Sequence, residues 1–148
     1  MAGSGADSSN YYTSVAAHGP GISNVGSYQV SGIPFVTGSE SLAADGEDKI
    51  SFSHVTRSIT VQNHTGDVIR VHFASKDTGN TISGFHYIEL DGTAGAGEMA
   101  QVTMNVKCSE LYISAPNDGS ARKYRVWAEL TGIGVGNMFP LTGAGIDA

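Results

Sequence analysis

Hydrophobic and polar residues alternate in short runs along most of the chain. Residues 49–55 place Ile50 and Phe52 on one face, and residues 57–63 place Ile59 and Val61 together. In residues 68–75, Ile69, Val71 and Phe73 face one way, while Val68, Arg70 and His72 face the other. Residues 85–90 read as a further strand. Residues 99–106 align Ala100, Val102, Met104 and Val106; Leu111, Ile113 and Ala115 share the next face; Tyr124, Val126, Ala128 and Leu130 share the last. A period of two marks half-buried β-strands. Between them lie polar turns such as Asp45-Gly46, Asp91-Gly92 and Pro116-Asn117-Asp118-Gly119, and no segment holds a helical period. Seven or eight strands, each with one apolar face, predict an all-β, antiparallel β-sandwich of jelly-roll-like or immunoglobulin-like topology. Pro34 cannot donate to a strand ladder, so residues 33–39 are expected at a sheet edge or at the start of a strand. Trp127 has the opposite parity to Val126 and Ala128, which places it on an outer face or beneath a tail.

The pattern fails at both ends. Residues 1–26 carry five glycines, Pro20 and a single charged side chain, Asp7, yet include Tyr11, Tyr12, Val15 and Ile22. Disordered tails are typically charged and poor in aromatics. This segment reads as an extended N-terminal arm whose aromatics anchor on another subunit. The expected organisation is therefore an arm over residues 1–26, a β-sandwich domain over 27–133 and a Gly-rich C-terminal tail over 134–148. A length of 148 residues suits one domain with a sizeable core.

Composition narrows the possible roles. Charged residues make up only 15%, against about a quarter in typical soluble domains. Surfaces buried between subunits are depleted of charge in this way. The net charge of -6 argues against nucleic-acid binding, which needs clustered Lys and Arg. Arg122, Lys123 and Arg125 form the one basic cluster, expected to be a solvated face. A single cysteine, Cys108, excludes an internal disulfide and a multi-cysteine metal site. With no signal-peptide pattern at the N-terminus and no apolar stretch of membrane-spanning length, the expectation is synthesis in a host cytoplasm and no membrane partner.

Candidate chemistry is sparse. His72 and His86 lie on strand-like segments and would share a metal only if their strands were neighbours; the spacing of zinc motifs is missing, and exposed strand histidines are expected. Cys108 beside Lys107 reads as a buried structural thiol rather than a nucleophile. Asp45, Glu47 and Asp48 fit a solvated turn better than a calcium loop. Gly132-Ile133-Gly134-Val135-Gly136 follows the last strand with no helix after it, so the dinucleotide-binding fingerprint fails on context. Asn63-His64-Thr65 matches a glycosylation acceptor. The reading is a non-enzyme with no catalytic, cofactor-binding or metal residues.

Residues 50–133 resemble small structural proteins of tailed phages and related aquatic viruses. The segments that carry the likeness are Val55-Thr56-Arg57-Ser58-Ile59-Thr60-Val61, Ile69-Arg70-Val71-His72-Phe73, Gly84-Phe85-His86-Tyr87-Ile88, Lys107-Cys108-Ser109-Glu110-Leu111-Tyr112-Ile113 and Ala128-Glu129-Leu130-Thr131-Gly132-Ile133, with Gly32-Ile33-Pro34-Phe35 adding to it. The likeness implies a virion structural protein of the capsid decoration (cement) type. Its partners would be the major capsid protein or other virion subunits, and it would form a homo-oligomer. Tyr11, Tyr12, Val15, Ile22, Tyr28 and Phe35 are the assembly contacts expected on this reading. The alternative is a tail, receptor-binding or carbohydrate-binding sandwich that stacks sugars on Tyr12, Tyr87, Tyr112 and Trp127.

Overall fold

The computed structural model describes residues 32–92, 99–138 and 141. Eight strands run in chain order: β1 (Ile33–Leu42), β2 (Glu47–Ser51), β3 (His54–Asn63), β4 (Ile69–His72), β5 (Ile88–Leu90), β6 (Gln101–Met104), β7 (Glu110–Ser114) and β8 (Arg122–Gly134). One 3-10 turn, Val135–Asn137, follows β8. The strands form two four-stranded antiparallel sheets, ordered β1-β8-β3-β6 and β2-β7-β4-β5. This order, in which consecutive strands alternate between sheets at each end of the chain, is that of an eight-stranded jelly roll. Of the two expected topologies, the immunoglobulin-like one places strands 1, 2, 5 and 4 in one sheet and is not the one observed.

Register explains which residues pack. Phe35, Ala128, Ile59 and Met104 form one inward row across the first sheet, and Thr37, Val126, Val61 and Val102 form the next. In the second sheet Ile50 lies opposite Leu111, and Ile113 lies opposite Val71. These two faces, with Leu42, Phe52, Ile69, Leu90 and Tyr124, make one core. β1 is an edge strand with Pro34 as its second residue, as the missing amide proton requires.

Several strand limits differ from the periodic reading. Residues 49–55 are not one strand: the ladder breaks at Phe52 and Ser53, where the chain leaves the second sheet for the first. That corner is held by the β6–β7 connection. Thr56 N donates to Cys108 O at 3.0 Å, and Thr56 Oγ1 accepts from Cys108 N at 3.1 Å and donates to Val106 O at 2.7 Å. The alternation in residues 68–75 and 85–90 yields only four and three strand residues. The intervening segment is taken by a loop that folds back over the second sheet.

Candidate functional site

The outer face of the second sheet carries a polar layer that is buried at its centre. By register, Glu47 and Lys49 of β2, Tyr112 and Ser114 of β7, and Arg70 and His72 of β4 all point away from the core. His72 and Ser114 are nevertheless sealed from solvent. Residues 73–87 cross over them. Ser75 Oγ donates to Glu47 Oε1 at 2.9 Å and Lys76 N donates to Glu47 Oε2 at 2.5 Å, so one carboxylate on β2 pins the start of the loop. Lys76 Nζ donates to Asp45 at both its backbone and side-chain oxygens. Tyr87, at the far end, lies over the Arg70 guanidinium at 4.8 Å.

His72 is fixed in one tautomer. Nδ1 sits 2.6 Å from Ala74 O, an atom that can only accept, so Nδ1 carries the proton. Nε2 is therefore bare and accepts from Ser114 Oγ at 2.7 Å. The ring stacks on Tyr112, 6.0 Å between centroids and 5° from parallel. Burial pushes the His72 pKa down, against the Ala74 hydrogen bond and the Glu47 carboxylate 3.9 Å away. The exposed strand histidine expected from the alternation is thus corrected: parity placed His72 outward, but the loop covers it. The serine–histidine pair has a backbone carbonyl where a catalytic pair would carry a carboxylate, and Ser114 is 1% exposed. It joins β4 to β7 under the loop.

The remaining candidates separate. Both His72 nitrogens are occupied, and among the described residues no three His, Cys, Asp or Glu side chains group to hold a metal ion. Asp45, Glu47 and Asp48 diverge: to Lys76, to the 75–76 backbone turn, and to the Tyr124 hydroxyl at 2.7 Å. Cys108 is buried, and burial pushes its thiol up to about 11. Asn63 is fully buried; its amide nitrogen donates to Asp67 O, Leu90 O and Asp91 O, and its oxygen accepts from Thr65. The side chain of the glycosylation pattern is thereby consumed in organising the 63–67 turn.

Arg122 overturns the solvated basic cluster. Its side chain has no exposure. Nε donates to Val68 O at 2.8 Å, Nη1 to Ser120 O at 2.5 Å, and Nη2 to Asp118. It ties the β3–β4 and β7–β8 turns together at one end of the sandwich. Arg125, one turn of the pleat away, lies on the outer face and pairs with Glu40.

Of the expected assembly contacts, Tyr11, Tyr12, Val15, Ile22 and Tyr28 lie outside the described residues. Phe35 is half-buried and sits edge-on to Phe52, 5.1 Å between ring centroids and 75° between planes. Of the aromatics expected to stack sugars, Tyr12 lies outside the described residues, and the other three do not share a surface. Trp127 is 39% exposed on the outer face of the first sheet, cross-strand from Val36, which is 72% exposed. Tyr112 of the second sheet and Tyr87 of the loop over it are partly buried against His72 and Arg70. The residue that sequence reasoning passed over is Phe85, 77% exposed at φ 59°. The Ser83-Gly84 step ahead of it signals a turn, but alternation with Tyr87 reads as strand.

No protein-family model matches the chain, and no curated protein does. Among solved structures, one from work on Bacillus endospore appendages, described as a novel family of disulfide-linked pili, is similar at a TM-score of 0.41 and 16% identity. The match covers 74% of this chain and 96% of that one. So loose a likeness says nothing about what this chain does.

Proposed function

We propose that the chain is a virion structural protein, a capsid decoration protein that stabilises a particle by bridging subunits through its N-terminal arm. Jelly rolls serve viral capsids and lectins alike, so the fold does not choose between roles. The observation that carries the reading is the distribution of exposed apolar side chains. Val36 and Trp127 stand out on the first sheet, and Phe85 and Ile88 near the edge of the second. A subunit with neighbours on two sides needs such a surface, and 15% charged residues fit it. Residues 1–31 lead directly into edge strand β1. An extended chain of that length spans up to about 100 Å, enough to reach an adjacent capsomer.

The major capsid protein, or other virion subunits, would be the partner, with the decoration protein itself a homo-oligomer. Sugar stacking by a tail or receptor-binding module has less support, because Trp127 lies on a different face from Tyr87 and Tyr112. Removal of residues 1–26 tests the proposal: the truncated protein is expected to keep its thermal unfolding transition and to lose binding to undecorated capsids. Undiminished binding would contradict it.

A further inference from the structure

The loop of residues 73–87 carries its own hydrogen bonds. Thr78 N donates to Ser75 O at 2.9 Å, Thr81 N to Thr78 O at 3.1 Å, Gly84 N to Asn80 O at 2.7 Å, Phe85 N to Ile82 O at 3.1 Å and His86 N to Thr81 O at 2.9 Å. All five stay inside the loop, so they hold its shape without holding it to the sheet. Polar attachment is concentrated at the start of the loop. There Ser75 and Lys76 N are held by the Glu47 carboxylate, and the Lys76 ammonium by Asp45. Segments fastened by few contacts are the ones that open locally.

Glu47 Oε2 has a second claimant. The oxygen that accepts from Lys76 N at 2.5 Å lies 3.9 Å from His72 Nε2. In the neutral ring Nε2 is bare and makes no demand on it. Nδ1 already holds its proton against Ala74 O, so a further proton goes to Nε2. There it meets the Ser114 hydroxyl, whose own hydrogen points at Nε2 and must turn away. It also presents Glu47 Oε2 with a cation, in competition with Lys76 N. The other charges facing the ring do not hold such a cation in place. Arg70 of β4, paired with Glu89 of β5, and Lys76 of the loop both repel it. Tyr112 of β7 stacks on the ring as a neutral phenol, its ionisation pushed up by desolvation. Beyond it Lys49 and Glu110 pair with each other, and Asp45 is taken by Lys76. The buried ring regains water only when the loop lifts.

We infer that residues 73–87 form an acid-released cover: a proton on His72 Nε2 draws the Glu47 carboxylate from Ser75 and Lys76, and the loop lifts from the second sheet to bare His72 and Ser114. The neutral ring favours the closed loop. An uncovered ring takes its proton at the ordinary value of 6.5, whereas burial lowers that value under the cover. The open population therefore grows as pH falls below 6.5, by up to about tenfold for each pH unit. None of this depends on the virion reading, since every group involved belongs to one chain.

Amide hydrogen exchange of the full chain, read by mass spectrometry and corrected for the intrinsic effect of pH on exchange, tests it. Peptides from the loop (73–87) and from β8 (124–130) are compared. The loop is expected to be less protected than β8 at every pH, because it opens without global unfolding. Its protection should fall at least threefold between pH 7.5 and 5.5 in the parent and stay level in His72→Gln. Glu47→Gln leaves the buried ring untouched and removes the charge and one acceptor oxygen. Its loop is expected to be at least threefold less protected than the parent's already at pH 7.5, a result that stands even where His72→Gln fails to fold. Loop protection equal to that of β8, no fall with pH in the parent, the same fall in a folded His72→Gln, or unchanged loop protection in Glu47→Gln would each overturn the inference.

Discussion

The Tyr124 hydroxyl on β8 donates to Asp48 Oδ2 on β2 at 2.7 Å, joining the two sheets through their inner faces. Desolvation of the phenol and the adjacent carboxylate together push the Tyr124 ionisation far up, so the hydroxyl remains a donor. Tyr124→Phe leaves Asp48 with a lost charge-assisted bond and is expected to cost about 1.5–3 kcal/mol. Urea unfolding measures this directly. A midpoint unchanged from the parent would show that water replaces the phenol at no cost.

His72 gives stability a pH dependence with a definite sign. Its pKa is lowered in the fold from an ordinary value of 6.5. The unfolded chain therefore binds the proton more readily, and stability rises with pH through that interval. The contribution is complete above about 6.5 and is lost as pH falls toward the folded value. Unfolding midpoints between pH 7.5 and 5 should fall in the parent and flatten in His72→Gln, whatever the variant's absolute stability. Equal slopes would assign the acid sensitivity elsewhere.

Arg122 holds two turns together from a fully buried position. Arg122→Met keeps much of the volume but orphans Val68 O and Ser120 O. The two acceptors are part-buried and Arg122 itself is fully buried, so the variant is expected to lose at least about 1 kcal/mol. Asp118→Asn keeps an acceptor for Nη2 and leaves Asp67 3.9 Å from Nη1, so it should cost clearly less than Arg122→Met. Thermal melts of the two variants compare them; similar losses would contradict this division.

Cys108 should be inert in the native protein. Its thiol sits near 11 through burial, and the Thr56 hydroxyl proton is committed to Val106 O, so the S–H points at Thr56 Oγ1 at 3.4 Å. A disulfide reagent at pH 8 is expected to label Cys108 only as fast as the chain unfolds. Rapid native labelling would mean that the 105–109 corner opens independently.

The fold class was legible because most strands bury one face. Ile59 with Val61, and Val126 with Ala128, leave a period-two trace that survives without tertiary information. The strand order was not legible, since nothing in the pattern of Ile113 says that its neighbours are Asp48 and Val71. Covering was equally invisible. Parity placed His72 outward correctly, but only the fold-back of residues 73–87, pinned by Glu47 some 28 residues earlier, buries it. Arg122 misled for a related reason: alternation set it in phase with Tyr124 and Val126, yet its charge outweighed its phase in the reading. Phe85 was hidden because an aromatic in a left-handed turn looks, in sequence, like one more strand residue.

On the proposed function, this chain is a structural component of a virus particle. Quantitative mass spectrometry of purified particles, with copy number referred to the major capsid protein, tests it most directly. The chain is expected at a fixed, simple ratio to the capsomers and to stay bound through gradient purification. Absence from purified particles, or a trace amount unrelated to the capsomer count, would contradict it.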